Sequence, residues 1–128
     1  MDLKKSDGLA FYLRQEDYFK KLKAQLSKDF NDADFDRELQ KITLVNSDFL
    51  LQTVSRFLSK VFDLSTSDFF DVLYRVDIPE QEFQHQIQSM GIVFDEIALL
   101  IVKRELMKIL FRDRIGIKPL FFYFDSKN

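Results

Sequence analysis

The chain has 128 residues, of which 46% are hydrophobic, 31% charged and 15% aromatic, a make-up suited to one folded domain and not to a disordered segment. Its aromatic content is 15 Phe and 4 Tyr without Trp, and with no Cys and a single His it lacks the means for disulfides, thiol catalysis, or zinc and iron–sulfur sites built on Cys. A net charge of −2 argues against a dedicated nucleic-acid-binding domain, since phosphate contacts demand a basic excess.

With three Gly, two Pro and no long period-2 alternation, the pattern predicts an all-α domain. We expect a single domain over residues 1–128, a compact bundle of five or six helices with an irregular aromatic tail over 115–128. The first helix is predicted from Leu9 to Lys28, with Asp7 as its cap and Leu9, Tyr12, Leu13, Phe19, Leu22 and Leu26 at near-helical spacing. Arg14 to Asp17 interrupt that stripe. Asp29 to Asp34 read as a loop, and a short helix carrying Phe35, Leu39 and Ile42 follows, ended by the poor helix formers Thr43 to Val45.

Asn46, Ser47 and Asp48 form a capping cluster before a helix that runs to about Asp63, with Leu50, Val54, Phe57, Leu58, Val61 and Phe62 as its apolar stripe. Ser65 and Asp68 match a capping box ahead of Phe69, Phe70, Val72, Leu73 and Val76. Asp77-Ile78-Pro79 ends that helix, because the residue before Pro avoids the α region and Pro suits the first turn of the next helix. Phe83, Ile87 and Met90 make a narrow stripe on a Gln-rich helix closed by Gly91. The last helix is predicted from Phe94 to Asp113. It is apolar all round from Ile97 to Val102, as suits a central element. The expected core is Leu22, Leu26, Leu39, Ile42, Leu50, Val54, Phe57, Leu58, Val61, Phe69, Leu73, Ile87, Ile97, Leu100, Ile101, Leu106 and Leu110.

Charge is distributed in blocks. Residues 63–96 carry eight acids and only Arg75 as a base, whereas residues 97–118 carry six bases and two acids. Helix electrostatics accounts for such blocks, acids gathering at helix starts and bases at ends. Within the basic block, Arg104, Lys108 and Arg112 lie at i, i+4, i+8 and share a face. That face is either a solvated one complementing the helix dipole or a patch for an anionic partner.

The tail residues Leu120, Phe121, Phe122, Tyr123 and Phe124 fall outside any helical stripe. They are expected either to close the chain's own core or to dock on a partner or a second copy, because five apolar side chains left in water would be an aggregation hazard. Peripheral membrane contact is the weakest reading of this segment. The polar start, Met1 to Gly8, lacks the apolar stretch of a signal peptide. The longest apolar run, Ile97 to Val102, is far below the roughly 20 residues needed to span a bilayer. The expected location is therefore the cytoplasm.

Little in the sequence supports chemistry. His85 has Glu82 and Gln81 on its face, but one Glu-x-x-His cannot build a two-motif metal centre. Asp68 with Asp71, and Asp77 with Glu80, read as helix capping. No nucleophile elbow, phosphate-binding loop or dinucleotide fingerprint occurs. We expect no cofactor and no metal. The sequence points first to a non-enzymatic interaction or assembly module, with a protein partner or self-association. A carrier or sensor of small apolar ligands with a Phe-lined cavity is the alternative, and a carboxylate- or His85-dependent enzyme ranks third.

Overall fold

The protein is described by a computed structural model over residues 9–113. The tail over 115–128, with Leu120 to Phe124, and the Asp7 cap lie outside the described residues. Among the described residues there are seven helices and no strand: α1 (Leu9–Leu13), α2 (Glu16–Phe30), α3 (Ala33–Gln40), α4 (Ser47–Leu64), α5 (Thr66–Val76), α6 (Glu80–Met90) and α7 (Phe94–Asp113). The all-α expectation holds, with one helix more than the upper count. The extra helix arises because the predicted first helix is broken in two. Gln15 adopts an extended conformation (φ −85°, ψ 125°), and its N–H donates to the Tyr12 carbonyl at 3.0 Å. The polar run from Arg14 to Asp17 has no apolar side chain to hold a continuous helix against the core.

The loop expected over 29–34 shrinks to two residues. α2 continues to Phe30, whose ring is buried, and Asn31 closes the helix in the left-handed region (φ 49°) with its N–H on the Ser27 carbonyl. Asp32 then caps α3, its side chain accepting from the Phe35 N–H at 2.8 Å. The later caps form at Asn46 and Ser65, but the box read at Ser65 and Asp68 is only half made, because the Ser65 N–H donates to the Val61 carbonyl instead of to Asp68. Asn46 accepts from the Phe49 N–H at 3.0 Å, and Ser65 accepts from the Asp68 N–H at 3.2 Å. Ser65 is both the last cap of α4 and the first of α5, so two helices meet at one extended residue. Pro79 occupies the cap position of α6, one residue earlier than the first-turn place expected for it.

α7 is the central element. Ile97, Ala98, Ile101, Val102, Leu106, Ile109 and Leu110 are buried on it, and α4, α2 and α5 pack against it. Of the expected core, Phe57, Val61, Ile87 and Leu100 are only half-buried; the others are buried. Six of the described Phe form two aromatic seams. Phe30, Phe35 and Phe57 sit with ring centroids 4.5 to 4.9 Å apart, joining α2, α3 and α4. Phe62, Phe69 and Phe94 meet edge to face at 5.2 to 6.0 Å, joining α4, α5 and α7. Each such ring pair adds about 0.5–1.5 kcal/mol beyond its burial. No helix among the described residues is long and apolar enough to cross a membrane.

Gly91 ends α6 at φ 74° and ψ −168°, a region that only Gly enters at low cost, although no atom lies within 4 Å of where a Cβ would stand. Gly91→Ala should therefore lower stability through backbone strain alone, by about 1–3 kcal/mol in urea unfolding followed by circular dichroism.

Candidate functional site

The basic row on α7 is turned inward, onto the C-terminal ends of two other helices. Arg104 donates to Asp77 Oδ2 at 2.9 Å, and Asp77 is the left-handed cap of α5 (φ 70°). Lys108 reaches further in. Its ammonium contacts Asp29 Oδ2 at 2.8 Å, the Val76 carbonyl at 3.0 Å and Glu105 Oε1 at 2.5 Å. Arg112 donates to Gln25 Oε1 at 3.2 Å, and Gln25 in turn donates to Asp29 Oδ2 at 3.1 Å. From α5, Arg75 donates to the Asp29 and Phe30 carbonyls at 2.7 and 3.3 Å, satisfying the exposed end of α2. The sequence spacing thus placed the three bases on one face correctly. The dipoles they complement belong to α2 and α5 rather than to α7 itself. Arg104 retains only 14% side-chain exposure, whereas Arg112 keeps 58%.

Sequence reasoning missed the centre of this network. Glu105 is fully buried, on the apolar face of α7 between Ile101 and Ile109 one turn to either side. Burial pushes its pKa up to about 9; the neighbouring Asp29 carboxylate adds to the rise and Lys108 opposes it. At Asp29 burial acts in the same upward sense, but hydrogen bonds from Glu105, Lys108 and Gln25 outweigh it and hold the group below the usual carboxylate range. Burial would also lower Lys108, yet Asp29 and Glu105 keep it above the ordinary lysine value. Two carboxyls share one ammonium, so near neutral pH the consistent state has Asp29 ionised, Lys108 charged and Glu105 protonated. The cluster is then electrically neutral. A signal for Glu105 was present in the sequence: an acid at i+4 from Ile101 and i−4 from Ile109 interrupts an otherwise apolar face.

Two clefts of the described surface lie away from this cluster. The larger, about 420 Å³, lies between α3 and α4 over Phe35, Phe57, Val61 and Leu64, with Arg37, Arg56, Lys60, Asp34 and Glu38 around it. Arg37 and Lys60 both pair with Asp34. The smaller, about 280 Å³, lies between α2 and α3 beside Lys20, Lys23, Ser27 and Asp36. His85 is exposed on α6, and among the described residues no three His, Asp or Glu side chains gather closely enough to hold a metal ion. Asp68 lies in the first turn of α5, whose cap is Ser65, and Asp77 in the α5 cap, each in the capping place expected of it.

An apolar exposed surface lies on α5 and α6. No residue of α6 is buried. Phe83 rests on Phe70 of α5 with ring centroids 6.0 Å apart, and Ile87 is half-buried. Met90, at the end of the same stripe, is exposed, as are Phe70 and Tyr74, which share a face of α5; Tyr74 is 85% exposed. No protein-family model matches the chain, and neither a curated protein nor a solved structure does.

The charged cluster has a definite pH signature. Between pH 4.5, where Glu105 titrates in the unfolded chain, and about 9, the folded state holds a proton that the unfolded chain has released. Stability should therefore fall as pH rises through this window, by up to about 1.4 kcal/mol per pH unit, and Glu105→Gln should flatten the profile in urea titrations. Asp29 acts in the opposite sense, its contribution being lost as pH drops below 3.8 towards its lowered folded value. Lys108→Met leaves two inward carboxyls without their cation and should cost about 3 kcal/mol, whereas Arg112→Ala, on an exposed pair, should cost less than about 1 kcal/mol.

Proposed function

We propose that this chain is a non-enzymatic protein–protein interaction or assembly module, and that it meets its partner through the α5–α6 hairpin. The observation that carries the reading is the placement of α6. Phe83 of its stripe meets Phe70 of α5, no residue of α6 is buried, and Met90 on α6 and Phe70 and Tyr74 on α5 stand exposed. A helix held so lightly gains most from a second surface, and exposed aromatic and Met side chains are the types enriched where proteins meet. A bound surface there would cover Tyr74 and Met90 and complete the burial of Phe83 and Ile87.

The other readings draw less support. A perturbed carboxyl suggests catalysis when it lines a cleft, but Glu105 lines neither described cleft and its partners are structural. A carrier of apolar ligands would use the α3–α4 cleft, yet the nearby Phe30, Phe35 and Phe57 rings stack on one another instead of enclosing a space.

A photo-crosslinking side chain placed at Tyr74, and in a second variant at Met90, tests the proposal in cells. The expected result is a discrete adduct, with a second copy or with one other protein, from both positions. A control at the exposed Gln40 of α3 should give none. Absence of a discrete adduct from positions 74 and 90, or the same adducts from position 40, removes the hairpin as the interaction surface.

A further inference from the structure

A second apolar surface lies at the other end of the molecule, where α7 stops. α2 and α7 run antiparallel, as the pairs Asp29–Lys108, Gln25–Arg112 and Lys21–Asp113 establish in sequence. The chain leaving Asp113 is therefore delivered to the N-terminal end of α2. Lys21 anchors this point: it contacts Asp113 Oδ2 at 2.5 Å and lies 5.2 Å over the Tyr18 ring. From Tyr18 an aromatic strip continues in two edge-to-face steps, 5.5 Å to Tyr12 and 5.3 Å to Phe11. Tyr18 and Tyr12 are half-buried and Phe11 is 58% exposed, so the strip presents ring surface to solvent.

We propose that this strip is the seat of the chain's own C-terminal aromatic segment, Leu120 to Phe124, docked in cis. Three observations favour that occupant. The first is reach: seven residue steps from Asp113 to Leu120 span up to roughly 23 Å, more than the strip requires. The second is charge. The intervening residues include Arg114 and Lys118, and the first turn of α2 offers Glu16 and Asp17, both exposed. The third is composition. Leu120, Phe121, Phe122, Tyr123 and Phe124 supply apolar and aromatic faces to aromatic rings, whereas the eight residues before α1 contain only Met1 and Leu3 as apolar side chains. Docking of this kind withdraws an apolar segment from solvent while the α5–α6 surface stays free.

The chain has no Trp, so Phe122→Trp provides a single reporter in the full-length protein. The expected result is blue-shifted emission and acrylamide quenching slowed severalfold relative to free tryptophan, both independent of protein concentration. Adding Phe11→Glu should return emission and quenching to the solvent-exposed values while the circular dichroism is unchanged. Arg114→Glu with Lys118→Glu alters no residue of the seat and should weaken the protection, the more so at low salt. Exposed emission in the parent reporter overturns the proposal, as does protection indifferent to both sets of changes. Protection that grows with concentration assigns the seat to the tail of a second copy and equally overturns docking in cis. None of these outcomes bears on crosslinking from Tyr74 or Met90.

Discussion

The ammonium group of Lys108 ties three helices together: it donates to Asp29 of α2 and to the Val76 carbonyl at the end of α5, and it lies 2.5 Å from Glu105 Oε1 of its own α7. A buried cation is costly unless fully hydrogen-bonded, and a buried carboxyl is costly unless neutralised or paired. Here each need is met by the other. Asp29 supplies the counter-charge, Glu105 keeps its proton because burial disfavours its anion, and the carbonyl at the α5 end takes a second N–H of Lys108. Removing Lys108 or Asp29 leaves the opposite charge without its partner, so the helices are committed to one another through a single point.

Around that point the apolar packing is divided between aliphatic and aromatic layers. α7 contributes Ile, Leu and Val to the centre, while Phe rings gather where other helices meet: Phe30, Phe35 and Phe57 at the α2–α3–α4 junction, and Phe62, Phe69 and Phe94 where α4, α5 and α7 join. Phe offers large area without a polar atom, so it fills a junction that leaves no room for a hydrogen-bond partner. Phe30 and Phe35 flank the two-residue connection from α2 to α3, and Phe62 and Phe69 the one-residue connection from α4 to α5, so large apolar rings cover the helix ends brought together there. At α6 this logic is incomplete, since its stripe finds only Phe70 and partial cover.

Much of this architecture could be read from the sequence where the determinants are local. Asn46, Ser65 and Gly91 act within three or four residues of their own position, and the bounds of α7 follow from acids in its first turn and a continuous apolar run. The break at Gln15 was half legible: the stripe visibly failed from Arg14 to Asp17, but a weak stripe does not say whether a helix bends, frays or stops. Phe30 was lost to a polar neighbourhood, because the left-handed Asn31 and the Asp32 cap allow two helices to abut almost directly. The charged cluster was the least legible. Lys108 and Glu105 at i+3 look like an ordinary surface pair. What makes them otherwise is Asp29, distant in sequence and brought near only by tertiary packing.

The cluster also settles the register between α2 and α7. Three pairs, at Asp29, Gln25 and Lys21 on one helix and at Lys108, Arg112 and Asp113 on the other, advance together along an antiparallel interface. Apolar side chains alone tolerate a slip of one helical turn, since Leu and Ile substitute for one another with modest loss. A slip here would carry Asp29 past Lys108 and leave Lys108 and Glu105 without their carboxylate partner from α2. Of the three pairs only the innermost is shielded enough to impose that penalty; the outer two are exposed and contribute direction more than energy. One buried proton and one half-buried ammonium thus discriminate among packings that hydrophobicity would leave nearly equal, and they fix which surfaces the helix ends bring together.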